Sequence, residues 1–497
     1  MNIDRRSFLG SSLAAWGAAR VAPSPVAAAV AATGQTAAAP ASSGRSLSRQ
    51  FARWVAGLRY EDLPAAVVDR VKGLTLQNLA SALVGSELAA GQQAVTFVAT
   101  EEAGVRSGAT ILVNGSRVTR GGAAFANSEM MLAGGKWDTF RMLTHPGTAI
   151  IPAALVAAEV DGASGRDFIA GVAAGYEVME RMAADWIPTV MARGFHAGPV
   201  FSIFGAAVAA AKIMRFTDDQ IHAAISLCTN LAGSNLESRA LREGAAVRNA
   251  MLAVSLAKQG KVGGGEAVLE GPAGFYQAYA GDRTGHLTYS FVGATDTSLD
   301  KLTTNLGTDC MLLETLYRIY SISGYNIAHI DVTAALCEEH DIKYADVDRV
   351  EAVVNWLETQ YPSPAFPQRR EDIGEPTRGS TRYYTAYGIV KRGFPMLAVT
   401  TDPPEVLELM KRVTIIPSHQ MTLFGPRITI FTKDGRSYTK QATGREFIWN
   451  FDEEARRIRA VVPGIPISGS QFERIIATCR DLDRQDRADT LVRLTLT

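Results

Sequence analysis

Two histidines lie in turns that open predicted helices. Thr144-His145-Pro146-Gly147 comes first, and Gly194-Phe195-His196-Ala197-Gly198-Pro199 follows. A histidine in such a turn suits anion binding, because the first N–H groups of a helix lack partners. It can also move a proton near neutral pH. The alternative for either is a capping or packing histidine. Between the two turns runs Gly175-Tyr176-Glu177-Val178-Met179-Glu180-Arg181, and after the second comes Phe204-Gly205-Ala206-Ala207-Val208-Ala209-Ala210-Ala211-Lys212. The chain has no Gly-x-Ser-x-Gly elbow and no His-Glu-x-x-His pair, which argues against serine or zinc hydrolysis. It also lacks a glycine-rich dinucleotide loop after a strand. No metal and no organic cofactor are expected.

The elements that must position these turns differ between the two parts of the chain. From residue 47 to about 281 the pattern is helical. Small and apolar residues recur at helical spacing over 148–160, 165–186, 200–214 and 218–231. Pro64 stands in the first turn of another helix. Thr110-Ile111-Leu112-Val113 followed by Asn114-Gly115 predicts one short hairpin. The later region reads differently. Residues 348–356, 412–417, 427–432 and 437–440 are strand-like, and Lys433-Asp434-Gly435-Arg436 is a hairpin turn. Helices are expected at 327–339 and 384–390, then again at 470–483 and 487–494. The fold class is therefore mostly α. A large all-helical domain, residues 46–312, is completed by residues 445–497, and a smaller α+β lid domain covers residues 313–444. A cleft between two such domains is the usual place for a small-molecule site.

At 497 residues the chain exceeds one ordinary core. Lys plus Arg and Asp plus Glu each number 50, so it lacks the basic footprint of a nucleic-acid binder. Asp4-Arg5-Arg6-Ser7-Phe8-Leu9-Gly10 is a twin-arginine pattern, and an apolar stretch and small residues follow it. Residues 1–32 read as an export signal, with residues 33–45 as a flexible linker. A bacterial periplasmic location follows. No later window offers the roughly 20 apolar residues of a membrane span, so no membrane contact is expected apart from the export machinery. Cys228, Cys310, Cys337 and Cys479 show no Cys-x-x-Cys spacing. The periplasm permits a disulfide, but buried thiols suit Cys228 and Cys337 better.

The two histidine turns, the Gly-Tyr-Glu helix and the Phe-Gly-Ala-Ala helix resemble the MmgE/PrpD family in order and spacing. That family includes 2-methylcitrate dehydratase, cis-aconitate decarboxylase and iminodisuccinate epimerase. The resemblance runs from about residue 47 to 494 and is loose in the last third. It implies a homodimer and cofactor-free proton chemistry on small polycarboxylates. It also adds site residues. Asp138 and Thr139 match the last Asp and the Thr of the family's acidic segment, whose earlier Asp positions here are Gly135 and Trp137. Where the family has Lys-x-x-His-x-Gly, this chain has Arg239, Arg242 and Gly244. Arg318 replaces a family lysine, and Tyr384 lies where the family places a site tyrosine.

These departures move the expected chemistry. Arginine keeps the positive charge of a lysine but cannot serve as a base. It grips carboxylates in a bidentate fork. Arg239, Arg242, Arg318 and Thr139 would therefore hold a small carboxylate substrate. Surface salt bridges are the alternative for the arginines. Proton transfer would fall to His145, His196, Tyr384, Asp138 or Glu237. The expected function is that of a lyase or isomerase (dehydratase, decarboxylase or epimerase) that removes a proton next to a carboxylate. The alternative is a non-catalytic periplasmic anion-binding paralogue of the same fold.

Overall fold

In the computed structural model, residues 46–238, 240–260, 264–360, 377–395 and 401–497 are described. The expected export signal, the linker and Arg239 lie outside them. The fold is mostly helical, with small sheets. The first part contains α1 (Leu47–Gly57), α2 (Ala65–Gly85), α3 (Ala89–Glu101), α4 (Arg120–Gly134), α5 (Gly147–Asp161), α6 (Gly165–Ala183), α7 (Ile187–Ala192), α8 (Ala197–Ile213), α9 (Asp218–Leu231), α10 (Arg242–Lys258) and α11 (Phe275–Tyr279).

The core is built around α8, which is buried along nearly its whole length. Helices α5, α6, α9 and α10 pack around it. Small residues make that density possible. A methyl group on Gly175 of α6 would sit 2.6 Å from the Gly205 carbonyl oxygen of α8, so the two backbones meet where neither has a side chain. This is the physical content of the alanine- and glycine-rich pattern. A helix that is apolar on every side has no solvent face to keep. The predicted hairpin is a short pair, β1 (Ala109–Thr110) with β2 (Arg117–Val118), antiparallel.

The later part carries β4 (Leu316–Arg318), α12 (Gly324–Glu339), β5 (Val347–Asn355), α13 (Thr381–Lys391), α14 (Pro404–Leu409), β6 (Val413–Ser418), β7 (Arg427–Thr432) and β8 (Ser437–Gln441). Four of these strands form a mixed sheet in the order β6-β5-β7-β8. β5 runs parallel to β6 and antiparallel to β7. The Lys433–Arg436 turn joins β7 to β8 as the turn residues predict. Helices α12 and α13 pack on each other and touch this sheet. Helices α15 (Phe451–Ile458) and α16 (Gly469–Arg480) return to pack on α2, and α17 (Thr490–Thr495) packs on α16. The cysteines are free thiols, with Cys228, Cys337 and Cys479 buried.

One pairing has no counterpart in the sequence reading. β3 (Trp137–Thr139) pairs antiparallel with β4, Trp137 opposite Arg318 and Asp138 opposite Tyr317. These strands are three residues long and nearly two hundred residues apart, so no local periodicity signals them. β4 lies beyond the expected domain boundary at residue 312, yet its partner belongs to the first part of the chain. This pair brings Arg318 to the histidine turns.

Candidate active site

The first histidine turn is built on a buried carboxylate. Both oxygens of Asp138 accept the Gly147 N–H, at 3.1 and 2.8 Å, and Tyr176 donates its hydroxyl to Oδ2 at 2.7 Å. Asp138 thereby satisfies the first N–H of α5, a place that favours negative charge. Burial still pushes its carboxyl up to about 6, against the pull of those hydrogen bonds. The next peptide carbonyl in the same strand orients His145. The His145 Nδ1 lies 2.9 Å from the Asp138 carbonyl oxygen. A carbonyl only accepts, so Nδ1 carries the hydrogen and Nε2 keeps its lone pair. Burial holds the imidazole well below its ordinary pKa, and Arg318, Arg242 and His196 add to that effect. His145 is thus a neutral imidazole whose unprotonated nitrogen is Nε2. Its ring rests on Trp137, centroids 4.5 Å apart.

The second turn is held from another side. His196 is the N-cap residue of α8, and its backbone N–H donates to the Ser234 carbonyl at 3.1 Å. Leu236 N–H donates to the Gly194 carbonyl at 2.8 Å, so the two loops are laced together. The His196 Nε2 lies 3.1 Å from Arg242 Nη1. A guanidinium only donates, so His196 Nε2 is the acceptor and this imidazole is neutral as well.

Both histidines line one cavity of about 270 Å³, together with Thr139, Arg242 and Arg318. Trp137, Met142, Leu143, Leu236, Ser323, Gly324, Tyr325 and Phe424 complete its wall. Arg318 donates from Nε to the Ile322 carbonyl at 2.8 Å, and its guanidinium lies 4.6 Å from the Trp137 ring centroid. Ser323 and Gly324 are the N-cap and first residue of α12, so that helix opens at the cavity. Among the described residues the wall combines two guanidinium groups, a helix N-terminus and two neutral imidazoles, and no carboxylate. Such a surface favours a small anion. Among the described residues no group of three or more His, Cys, Asp or Glu side chains could hold a metal ion.

Three expected site residues stand off this wall. Asp138 is fully buried and spent on the α5 turn, because its carboxylate faces Gly147 and Tyr176. Tyr384, on α13, stacks edge-on against Tyr383 at 5.2 Å, and Tyr325 takes the place on the cavity wall. Glu237 is exposed. Sequence reasoning missed Trp137, Tyr325, Phe424 and the α12 N-terminus. Trp137 stood in the sequence only as a residue at a family Asp position. Nothing in the local sequence marked Tyr325 or Phe424.

Comparison with known proteins agrees with the geometry in its coarse outline. Residues 49–287 match the MmgE/PrpD N-terminal domain. The chain is similar to the cis-aconitate decarboxylase-like protein oryM of Aspergillus oryzae (strain ATCC 42149 / RIB 40), 27% identical over 44% of this chain and 48% of the relative. It is similar to cis-aconitate decarboxylase of Aspergillus terreus, 26% identical over 46% of this chain and 48% of the relative. Homo sapiens cis-aconitate decarboxylase is also 26% identical, over 48% of this chain and 51% of the relative. The chain spans about half the length of the curated relatives it matches.

Proposed function

We propose that this protein is a cofactor-independent lyase or isomerase acting on a small polycarboxylate. One observation carries the reading: two neutral histidines and two arginines line a single small cavity, with no carboxylate among the described residues of its wall. The arginines would hold the substrate carboxylates. His145 Nε2 would remove the proton on the adjacent carbon. Arg242, Arg318 and the α12 N-terminus would stabilise the enediolate charge that develops on the carboxylate. His196 would return a proton to the leaving group or to the opposite face. Dehydration, decarboxylation and epimerisation all pass through that carbanion. The similarity to cis-aconitate decarboxylases makes cis-aconitate the first acid to try. We also place the mature protein in the bacterial periplasm, as a homodimer.

The test is a screen of di- and tricarboxylic acids in deuterated water, read by NMR for carbon-bound deuterium and for product. An exchanging acid is expected, with His145→Gln and His196→Gln each slowing exchange roughly 10²–10⁴-fold. A second reading is a non-catalytic anion binder, favoured by Gly135 and Arg242 at positions where the family carries ionisable Asp and His. Calorimetric binding of the acids without exchange or turnover in any of them would select it.

A further inference from the structure

No described residue of the cavity wall is a carboxylate, but one lies directly behind it. Glu243 is fully buried, the second residue of α10. It follows Arg242, and its Oε2 pairs with Arg242 Nε at 3.6 Å. The other end of the same guanidinium, Nη1, meets His196 Nε2 at 3.1 Å. The carboxylate is also packed against the His196 turn itself. A methyl group on Gly198 would sit 2.4 Å from Glu243 Oε1 and 3.4 Å from His196 Cε1. Glu243 therefore touches both the cation and the turn that carries the imidazole.

A second carboxylate approaches from the neighbouring helix. Glu129 on α4 lies beside Gly244 in the first turn of α10. A methyl on Gly244 would lie 2.1 Å from its Oε1. One guanidinium thus faces two carboxylates and one imidazole. Burial raises the pKa of both carboxyls, and Glu129 is pushed up further, to about 7, by Glu243. Burying a carboxylate costs several kcal/mol unless a cation is paired with it. A side chain that only filled the space behind Arg242 would have no need of that charge.

We propose that Glu243 is a positioning residue that pins the Arg242 guanidinium so that one N–H is always presented to His196 Nε2. The planar fork then has a fixed orientation: Nε toward Glu243, Nη1 toward His196, and the remaining N–H groups available to a ligand. His196 is held with its hydrogen on Nδ1. A ligand carboxylate that takes the Nη1–H of Arg242 frees the His196 Nε2 lone pair, which can then accept a proton. Anion binding at Arg242 would in this way let His196 take up the proton that it returns in the proposed reaction. That step rests on the proposed function, but the pinning does not.

The pinning can be read without any substrate. The full chain is labelled with ¹⁵N-histidine, and the His196 signals are identified by their loss in His196→Gln. At pH 8 the ligand-free protein is expected to show His196 with Nδ1 protonated and Nε2 bare. In Glu243→Gln, folded by circular dichroism, the tautomer carrying hydrogen on Nε2 is expected to appear. Glu243→Asp should keep part of the original preference. If Glu243→Gln does not fold, Glu243→Met, of similar shape and without charge, is expected to give the same loss. A His196 tautomer unchanged in the folded Glu243→Gln or Glu243→Met variant overturns the proposal, whatever the activity screen finds. A shifted tautomer with no turnover on any acid leaves the pinning standing and removes only the catalytic reading.

Discussion

At the scale of single residues, the site works by holding ionisable groups away from their solution behaviour. His145 is kept neutral by burial and two nearby arginines, and its tautomer is set by one backbone carbonyl. Glu129 shows the cost of such arrangements. Its folded pKa of about 7 lies above its ordinary 4.5, so between those values the folded state holds a proton that the unfolded chain has released. Stability must then fall as pH rises through that window. Glu129→Gln keeps nearly the same shape and removes the titration. Thermal melts should show the variant matching the wild type near pH 4.5 and more stable at pH 8, by at most about 3 kcal/mol. Equal melting differences at both pH values would show that Glu129 does not titrate in this way.

At the scale of elements, short pieces are held by long-range polar straps. Arg318 reaches the cavity because β4 pairs with β3. The chain leading into β4 is held in turn by one ion pair on α6. Arg181 binds Glu177 at 2.5 Å and donates to the carbonyls of Lys301, Leu302, Thr304, Asn305 and Asp309. Glu177 accepts the Met311 N–H at 2.8 Å. This cluster ties together a stretch of turns and short 3-10 helices, whose carbonyls need donors. Arg181→Ala leaves Glu177 as a buried, uncompensated charge and takes a donor from each of those carbonyls. It should cost about 3–5 kcal/mol, read from the denaturant midpoint. Amide exchange should rise most over residues 299–314. Uniform exchange changes across all helices would argue against a local strap.

At the scale of the whole molecule, location and chemistry are separate questions. The proposed export rests on Arg5-Arg6-Ser7-Phe8-Leu9 and on nothing in the folded part. A twin-arginine route carries proteins that have already folded, which suits a core as interlocked as that around α8. Replacing Arg5 and Arg6 together by Lys should strand the precursor in the cytoplasm. Cell fractionation that recovers the double variant from the periplasm at the normal level would refute the proposal.

Periodicity alone reported α5, α6, α8 and α9, the strands β5 to β8 and the C-terminal helices α16 and α17, because each of these buries a face with a local repeat. The motifs brought forward His145 and His196, and the family resemblance added Thr139, Arg242 and Arg318; the cavity collects all five. The tertiary structure decided the rest. Asp138 proved to be a clamp on α5, because a fully buried carboxylate must find donors and Gly147 and Tyr176 supply them. Tyr325 lines the wall in place of Tyr384, since α12 rather than α13 opens at the cavity. Glu243 looked like a residue between motif positions, and only the packing of α10 against the His196 turn sets its carboxylate beside Arg242. Periodicity records what one segment buries. It carries no record of which distant charge will share that burial, and in this site those distant charges determine the protonation of both histidines.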